Sequence, residues 1–194
     1  ERQPTVMSFL NTDIAFSGSK VVLSNMHGLN IFDVSADNEV KHIMSLVCPG
    51  GVSDISIHGN LVFYSVEQQR ARVDCGLEGI EGTSNSERFL GIRIFDISDL
   101  KNPRQVAAVQ TCQGSHTHTF VPHPTDPNIA YIYAQGLRSA RPDTELAGCS
   151  GGEPGENPDT VFYGIDVIEV PLDAPENAAV INRPRIFADF ETGE

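Results

Sequence analysis

Three of the chain's six histidines fall within the eleven residues Gly114–Pro124, GSHTHTFVPHP, and two of them, His116 and His118, are separated by one residue. On an extended strand, positions two apart share a face. This pair therefore offers two imidazoles on one side, and with carboxylates nearby that set suits a borderline divalent ion such as zinc or copper. The same side chains also serve simply to satisfy backbone groups at a strand end. The four cysteines, Cys48, Cys75, Cys112 and Cys149, form no CxxC pair, which argues against a zinc ribbon. An even count in an acidic, loop-rich chain points instead to disulfides and an oxidising compartment. Two glycine-rich stretches, GLEGIEG and GCSGGEPGENP, neither follow a strand nor open a helix, so they do not read as nucleotide loops. Ser150 lacks the strand–turn–helix setting of a hydrolase nucleophile. Carboxylates in the same stretches (Glu67, Asp74, Glu78, Glu81, Glu145, Glu153 and Glu156) are able to offer loop oxygens to calcium, but they read first as solvated surface.

The framework holding these residues is rich in turns. The chain has 194 residues, 17 glycines, 12 prolines and no tryptophan, which fits many short strands in one domain. A formal net charge of −13 repels phosphate backbones, so nucleic acid is not an expected partner. No apolar run approaches the roughly 20 residues of a transmembrane helix. The chain begins with Glu1 rather than Met, as a processed chain or a fragment does, so missing targeting signals carry no weight.

A repeat runs under the histidines. GLNIFDVS at Gly28–Ser35 recurs as GIRIFDIS at Gly91–Ser98, and VMSFL at Val6–Leu10 recurs as IMSLV at Ile43–Val47. TDIAFSGSKVVLSN from Thr12 matches SDISIHGNLVFYSV from Ser53, and a divergent third copy, THTFVPHPTDPNIAYIYA, starts at Thr117. Each copy reads as four short strands joined by turns, an antiparallel meander. Ile92 and Ile94 point one way and Phe95 and Ile97 the other, so the third strand needs cover on both faces. Sheets stacked face to face around an axis supply that cover, as the blades of a β-propeller do. The expected class is all-β, a partial propeller. Residues 1–11 supply an outer strand of another blade, 12–52 form blade 1, and 53–116 form blade 2 with an insertion at 67–89. Residues 117–194 form blade 3, with an insertion at 135–160, and begin the next blade. Three blades do not close a ring, so further blades are expected from more polypeptide or another chain.

GIRIFDISDLKNPRQVA resembles the LVIVD repeat of bacterial and archaeal extracytoplasmic β-propeller proteins, in which G-[LI]-x-[IV]-[FI]-D-[IV]-S is followed by D-x-x-x-P. The first copy lacks the proline, and the third replaces D-[IV]-S with Glu169-Val170-Pro171. The resemblance implies a propeller outside the cytoplasm and no particular chemistry. A shorter likeness, the His-x-His at the start of an inner strand, is similar to the selenium-binding and methanethiol oxidase propellers and implies a copper-enzyme alternative.

Aligning the copies puts Asp13, Asp54 and His118 at one position, near the start of innermost strands around a central channel. His116, His118 and Asp54 are therefore the candidate metal ligands, for copper, zinc or calcium, at the channel mouth. His27 is a weaker neighbour, His58 and His123 read as surface, and His42 as structural. Asp33, Asp96 and Asp99 read as turn-bonding residues. In a meander, loops after second and fourth strands emerge on one face. Cys48 and Cys112 follow fourth strands, while Cys75 and Cys149 lie in the insertions, so symmetry favours Cys48–Cys75 with Cys112–Cys149. The other two connectivities remain rivals. The expected function is a binding or assembly module working through the insertion-bearing face, with a protein or further blades as partner. The alternatives are a metal-dependent enzyme at the channel mouth and a structural subunit of an extracellular complex.

Overall fold

The computed structural model describes residues 10–34 and 36–186. Three four-stranded antiparallel sheets follow one another along the chain, each in simple meander order. Blade 1 holds β1 (Asn11–Ser17), β2 (Lys20–Asn25), β3 (Gly28–Val34) and β4 (Val40–Val47). Blade 2 holds β5 (Ile55–His58), β6 (Leu61–Val66), β7 (Gly91–Asp96) and β8 (Arg104–Gln110). Blade 3 holds β9 (Thr117–Pro122), β10 (Ile129–Gln135), β11 (Asp166–Pro171) and β12 (Ala179–Asn182). Among the described residues the only helical element is a three-residue 3-10 turn, Pro175–Asn177. No helix there is long and apolar enough to cross a membrane. The chain is all-β and built of propeller-type blades, and the three sheets do not close into a ring.

The repeat motif explains the local geometry. Gly28 and Gly91 open the third strands with φ of 149° and 142°, a region that side-chain-bearing residues rarely adopt. A Cβ at either would collide with a carbonyl of the adjacent fourth strand, Leu46 or Val109. Asp96 accepts the Ser98 amide at 2.8 Å and Asp99 that of Lys101 at 3.0 Å, so both cap turns.

Register shows which residues are equivalent. The cross-strand pair Val62·Phe95 of blade 2 faces back onto blade 1, and Ile132·Ile168 of blade 3 faces back onto blade 2. The pairs Val22·Ile31 and Phe63·Ile94 face forward onto the next blade. Two interblade cores result. One packs Val22, Leu29 and Ile31 against Val62, Tyr64, Phe95 and Ile97. The other packs Phe63, Ile92 and Ile94 against Ile132, Ile168 and Val170. The third strand of blade 2, β7, is buried on both faces because it lies between these two cores.

Three expectations are corrected. The insertions run from 67 to 90 and from 136 to 165, because β7 starts at Gly91 and β11 only at Asp166. Asn11 belongs to β1, while the expected outer strand at residues 1–9 and the start of a next blade at 187–194 lie outside the described residues. The third copy is also displaced by one residue. Ile55 pairs Tyr64, and His118 pairs Ala134, which in turn pairs Asp166 as Tyr64 pairs Arg93. His118 thus takes the place of Ile55, and Thr117 that of Asp13 and Asp54.

Candidate functional site

A clasp joins consecutive inner strands. Asp13 accepts the Ile55 amide at 2.9 Å, and Asp54 accepts the His118 amide at 2.7 Å. Each carboxylate therefore reaches from its own blade to the first strand of the next. The two carboxyl groups also hydrogen-bond one another. Burial, then that hydrogen bond, pushes the Asp54 carboxyl up to about 6, because two adjacent carboxyls resist ionising together.

His118 fills the seam between blades 2 and 3. Its Nε2 lies 2.7 Å from Ser56 Oγ and its Nδ1 2.8 Å from Ser65 Oγ. Ser65 Oγ lies 2.9 Å from Ser115 Oγ, whose proton goes to the Thr117 carbonyl at 3.0 Å. Ser65 must then donate to Ser115, Nδ1–H to Ser65, and Ser56 to Nε2. The imidazole is neutral with both nitrogens engaged, and its side chain is fully buried. Burial pulls its pKa down to about 4. Ser56, His118 and Asp54 have the residue types of a nucleophile–base relay, but not its arrangement. Asp54 stands 3.5 Å from Nδ1, whose hydrogen bond goes to Ser65 at 2.8 Å, and an imidazole held near 4 is a weak base at neutral pH. The assembly locks the seam.

His116 turns elsewhere: its Nδ1 is 2.9 Å from Glu67 Oε2, and Arg138 reaches the other oxygen at 3.1 Å. The expected metal set is thus divided. His118 and Asp54 share one seam, while His116 belongs to a Glu67–Arg138 cluster at the base of the insertions. Among the described residues no three His, Cys, Asp or Glu side chains are placed to hold a metal ion. The residues as arranged do not fit a zinc or copper centre, because the Nε2 lone pair of His118 already accepts from Ser56. His58 stacks on Phe120 at 5.0 Å, and His123 caps the turn of Thr125 and Asp126. His42 packs against Phe32 at 5.2 Å, and the Nε2 of His27 is buried with no hydrogen-bond partner among the described residues.

The insertions form one surface. Cys48 is bonded to Cys75 and Cys112 to Cys149, so the link after each fourth strand is tied to the insertion of the following blade. Between the insertions lies a buried ion cluster: Glu145, with a fully buried side chain, takes Arg88 at 2.5 Å on one oxygen and Arg141 at 2.5 Å on the other. Glu145 also accepts the Asn85 amide at 2.7 Å. Arg93, on β7, is buried against the Phe89 ring at 4.2 Å and donates to Gln105 and to the carbonyls of Arg72 and Val73. Glu67 and Glu145, read from sequence as solvated surface, are instead buried at the centre of this layer. The surface reading holds for Asp74 and Glu78, which are 61% and 65% exposed beside Arg72. No sequence signal pointed to Arg88 or Arg141, since loop residues carry no period from which burial is read, whereas Arg93 lies on β7 and shares by alternation the face of Phe95 and Ile97. Beside Cys149 the blade 3 insertion encloses a cleft of about 740 Å³, bordered by Gln113, Asn157, Thr160, Phe162 and Arg183.

No family model and no curated protein matches the chain. Among solved structures it is similar to the computationally designed Ika4 protein, at 12% identity and a TM-score of 0.36, over 85% of this chain and 87% of that one. It is also similar to Kuenenia stuttgartiensis hydrazine synthase, at 11% identity and a TM-score of 0.36, over 96% of this chain and 51% of that one. The chain thus spans about half of the hydrazine synthase chain. Likeness at this level assigns no function.

Proposed function

We propose that this chain is part of a propeller of the LVIVD kind that works outside the cytoplasm as a binding or assembly module, through the face formed by its two insertions. The observation that carries this reading is the joining of the insertions to each other. Each disulfide pins one insertion to the link before its blade, and Arg88 and the Asn85 amide, both bound to Glu145, join one insertion to the other. Loops held rigidly on a scaffold bind without first bearing an ordering cost. The disulfides also fit an oxidising environment. The cleft beside Cys149 and the partly exposed His116 and Arg138 side chains give this face polar recognition groups.

The test places a photo-crosslinking residue at exposed Leu77 or Leu137 on the insertions and, as a control, at exposed Lys101 in the turn between β7 and β8. Extracytoplasmic material from the source is the probe. The proposal expects adducts of defined mass from the insertion positions, lost when excess unlabelled protein competes. Equal yield from Lys101, or no adduct that unlabelled protein displaces, contradicts it.

A further inference from the structure

Among the described residues the three-bladed stack ends in two sheet faces that no further blade covers, and the register shows what each is built to meet. The back pair of blade 1, Val21·Phe32, is the counterpart of Val62·Phe95 and Ile132·Ile168, both buried against a preceding blade. No blade among the described residues covers it. Ile14 and Phe16 beside it are 47% and 63% exposed and, with Val40, line an apolar groove of about 250 Å³. Their counterparts in blade 2, Ile55 and Ile57, pack into the core shared with blade 1. At the other end, the front pair of blade 3, Tyr133·Val167, is the counterpart of Val22·Ile31 and Phe63·Ile94, which meet a following blade. Tyr133, Val121 and Ile181 on that sheet are 40%, 37% and 53% exposed. The stack therefore carries the back half of an interblade joint at one end and the front half at the other.

We propose that two copies of this chain join head to tail, the blade 1 face of each seated on the blade 3 face of the other, closing a six-bladed ring. Two unlike complementary faces make a heterologous contact, which ends in a ring when its rotation closes. Six blades lie within the usual range for propellers. This joint continues the two joints already present in the chain, and it covers both open faces at once. It lacks one element of them: Thr117 stands where Asp13 and Asp54 supply carboxylates, so the joint between copies is the weakest in the ring and opens on dilution. Each copy carries a net charge of −13, so like-charge repulsion opposes the pairing and salt relieves it.

Sedimentation velocity on the 194-residue chain tests this. The expected result is a species of twice the 21.0 kDa chain mass that dissociates on dilution and gains population as salt is raised. Phe16→Asp and Tyr133→Asp each abolish it, because every joint then contains a damaged face. Mixing the two variants restores a dimer, because one intact face remains on each. Circular dichroism spectra matching the wild type show that the variants fold. A wild-type chain that is monomeric at stock concentration and raised salt overturns the proposal. Loss of the dimer with Phe16→Asp but not Tyr133→Asp indicates like faces pairing and also overturns it. Open-ended polymers without a dimer do the same. The crosslinking test of the insertion face concerns other residues, so either reading can fail alone.

Discussion

Asp54 and His118 share one interblade seam, and burial moves their proton affinities in opposite directions: the carboxyl up to about 6, the imidazole down to about 4. Asp54 holds its proton more tightly folded than unfolded. Its contribution to stability is complete below about 3.8 and is lost as pH rises through 6. His118 takes a proton less readily folded than unfolded, so its contribution is present above about 6.5 and is lost as pH falls toward 4. Between pH 4 and 6 the two slopes oppose each other and nearly cancel in the wild type. Asp54→Asn leaves the His118 term, and stability then rises with pH across this window. His118→Gln leaves the Asp54 term, and stability falls. Each slope approaches at most about 1.4 kcal/mol per pH unit, the value for one proton. Denaturant unfolding at half-unit pH steps measures both, and slopes of the same sign in the two variants contradict the seam geometry. The histidines were conspicuous in the sequence, but their roles were not. In THT, polar residues point to both faces of the strand, so no apolar marker set the register, and a one-residue slip exchanges faces. That slip placed His118 beside Asp13 and Asp54 as a counterpart, when it is the residue whose amide Asp54 holds.

Strands and disulfides were legible because their rules are local or periodic. Alternating apolar residues and the Gly-[LI]-x-[IV]-F-D motif gave the first two blades nearly to the residue. Meander topology put the loops after second and fourth strands on one face, which is where Cys48–Cys75 and Cys112–Cys149 form. What holds the insertions together was not legible, since Arg88 and Glu145 are 57 residues apart and no period links them. Glu145→Gln removes the only carboxylate between two buried guanidinium groups. Breaking such a pair typically costs about 3–5 kcal/mol, and thermal unfolding of the variant is expected to show a loss of that order. An unchanged melting temperature would mean that the cluster is not formed. Replacing Cys112 and Cys149 by serine frees a loop closed over 37 residues, and the expected loss is about 3–4 kcal/mol by the chain-entropy estimate. If that double variant is as stable as the wild type, the ion cluster alone orders the blade 3 insertion.

The whole molecule is a stack of three blades with one face capped by its own loops, and the account depends on that cap being ordered. Repetition made the stack readable, because each blade states the same pattern and the pattern demands cover on both sides. The cap is specific to this chain and follows no repeat. Its backbone carries hydrogen bonds that anchor it at defined points: Val73 to the Glu87 carbonyl at 2.9 Å, Phe89 to that of Ala71 at 2.9 Å, and Arg141 to that of Cys112 at 2.9 Å. Amide hydrogen exchange followed by mass spectrometry reads these bonds directly. With the disulfides intact, peptides covering 67–90 and 136–165 should contain amides protected as strongly as those of the β6 and β10 strands, with Val73, Phe89 and Arg141 among them. Exchange throughout both insertions at the rate of an unstructured chain would contradict the account.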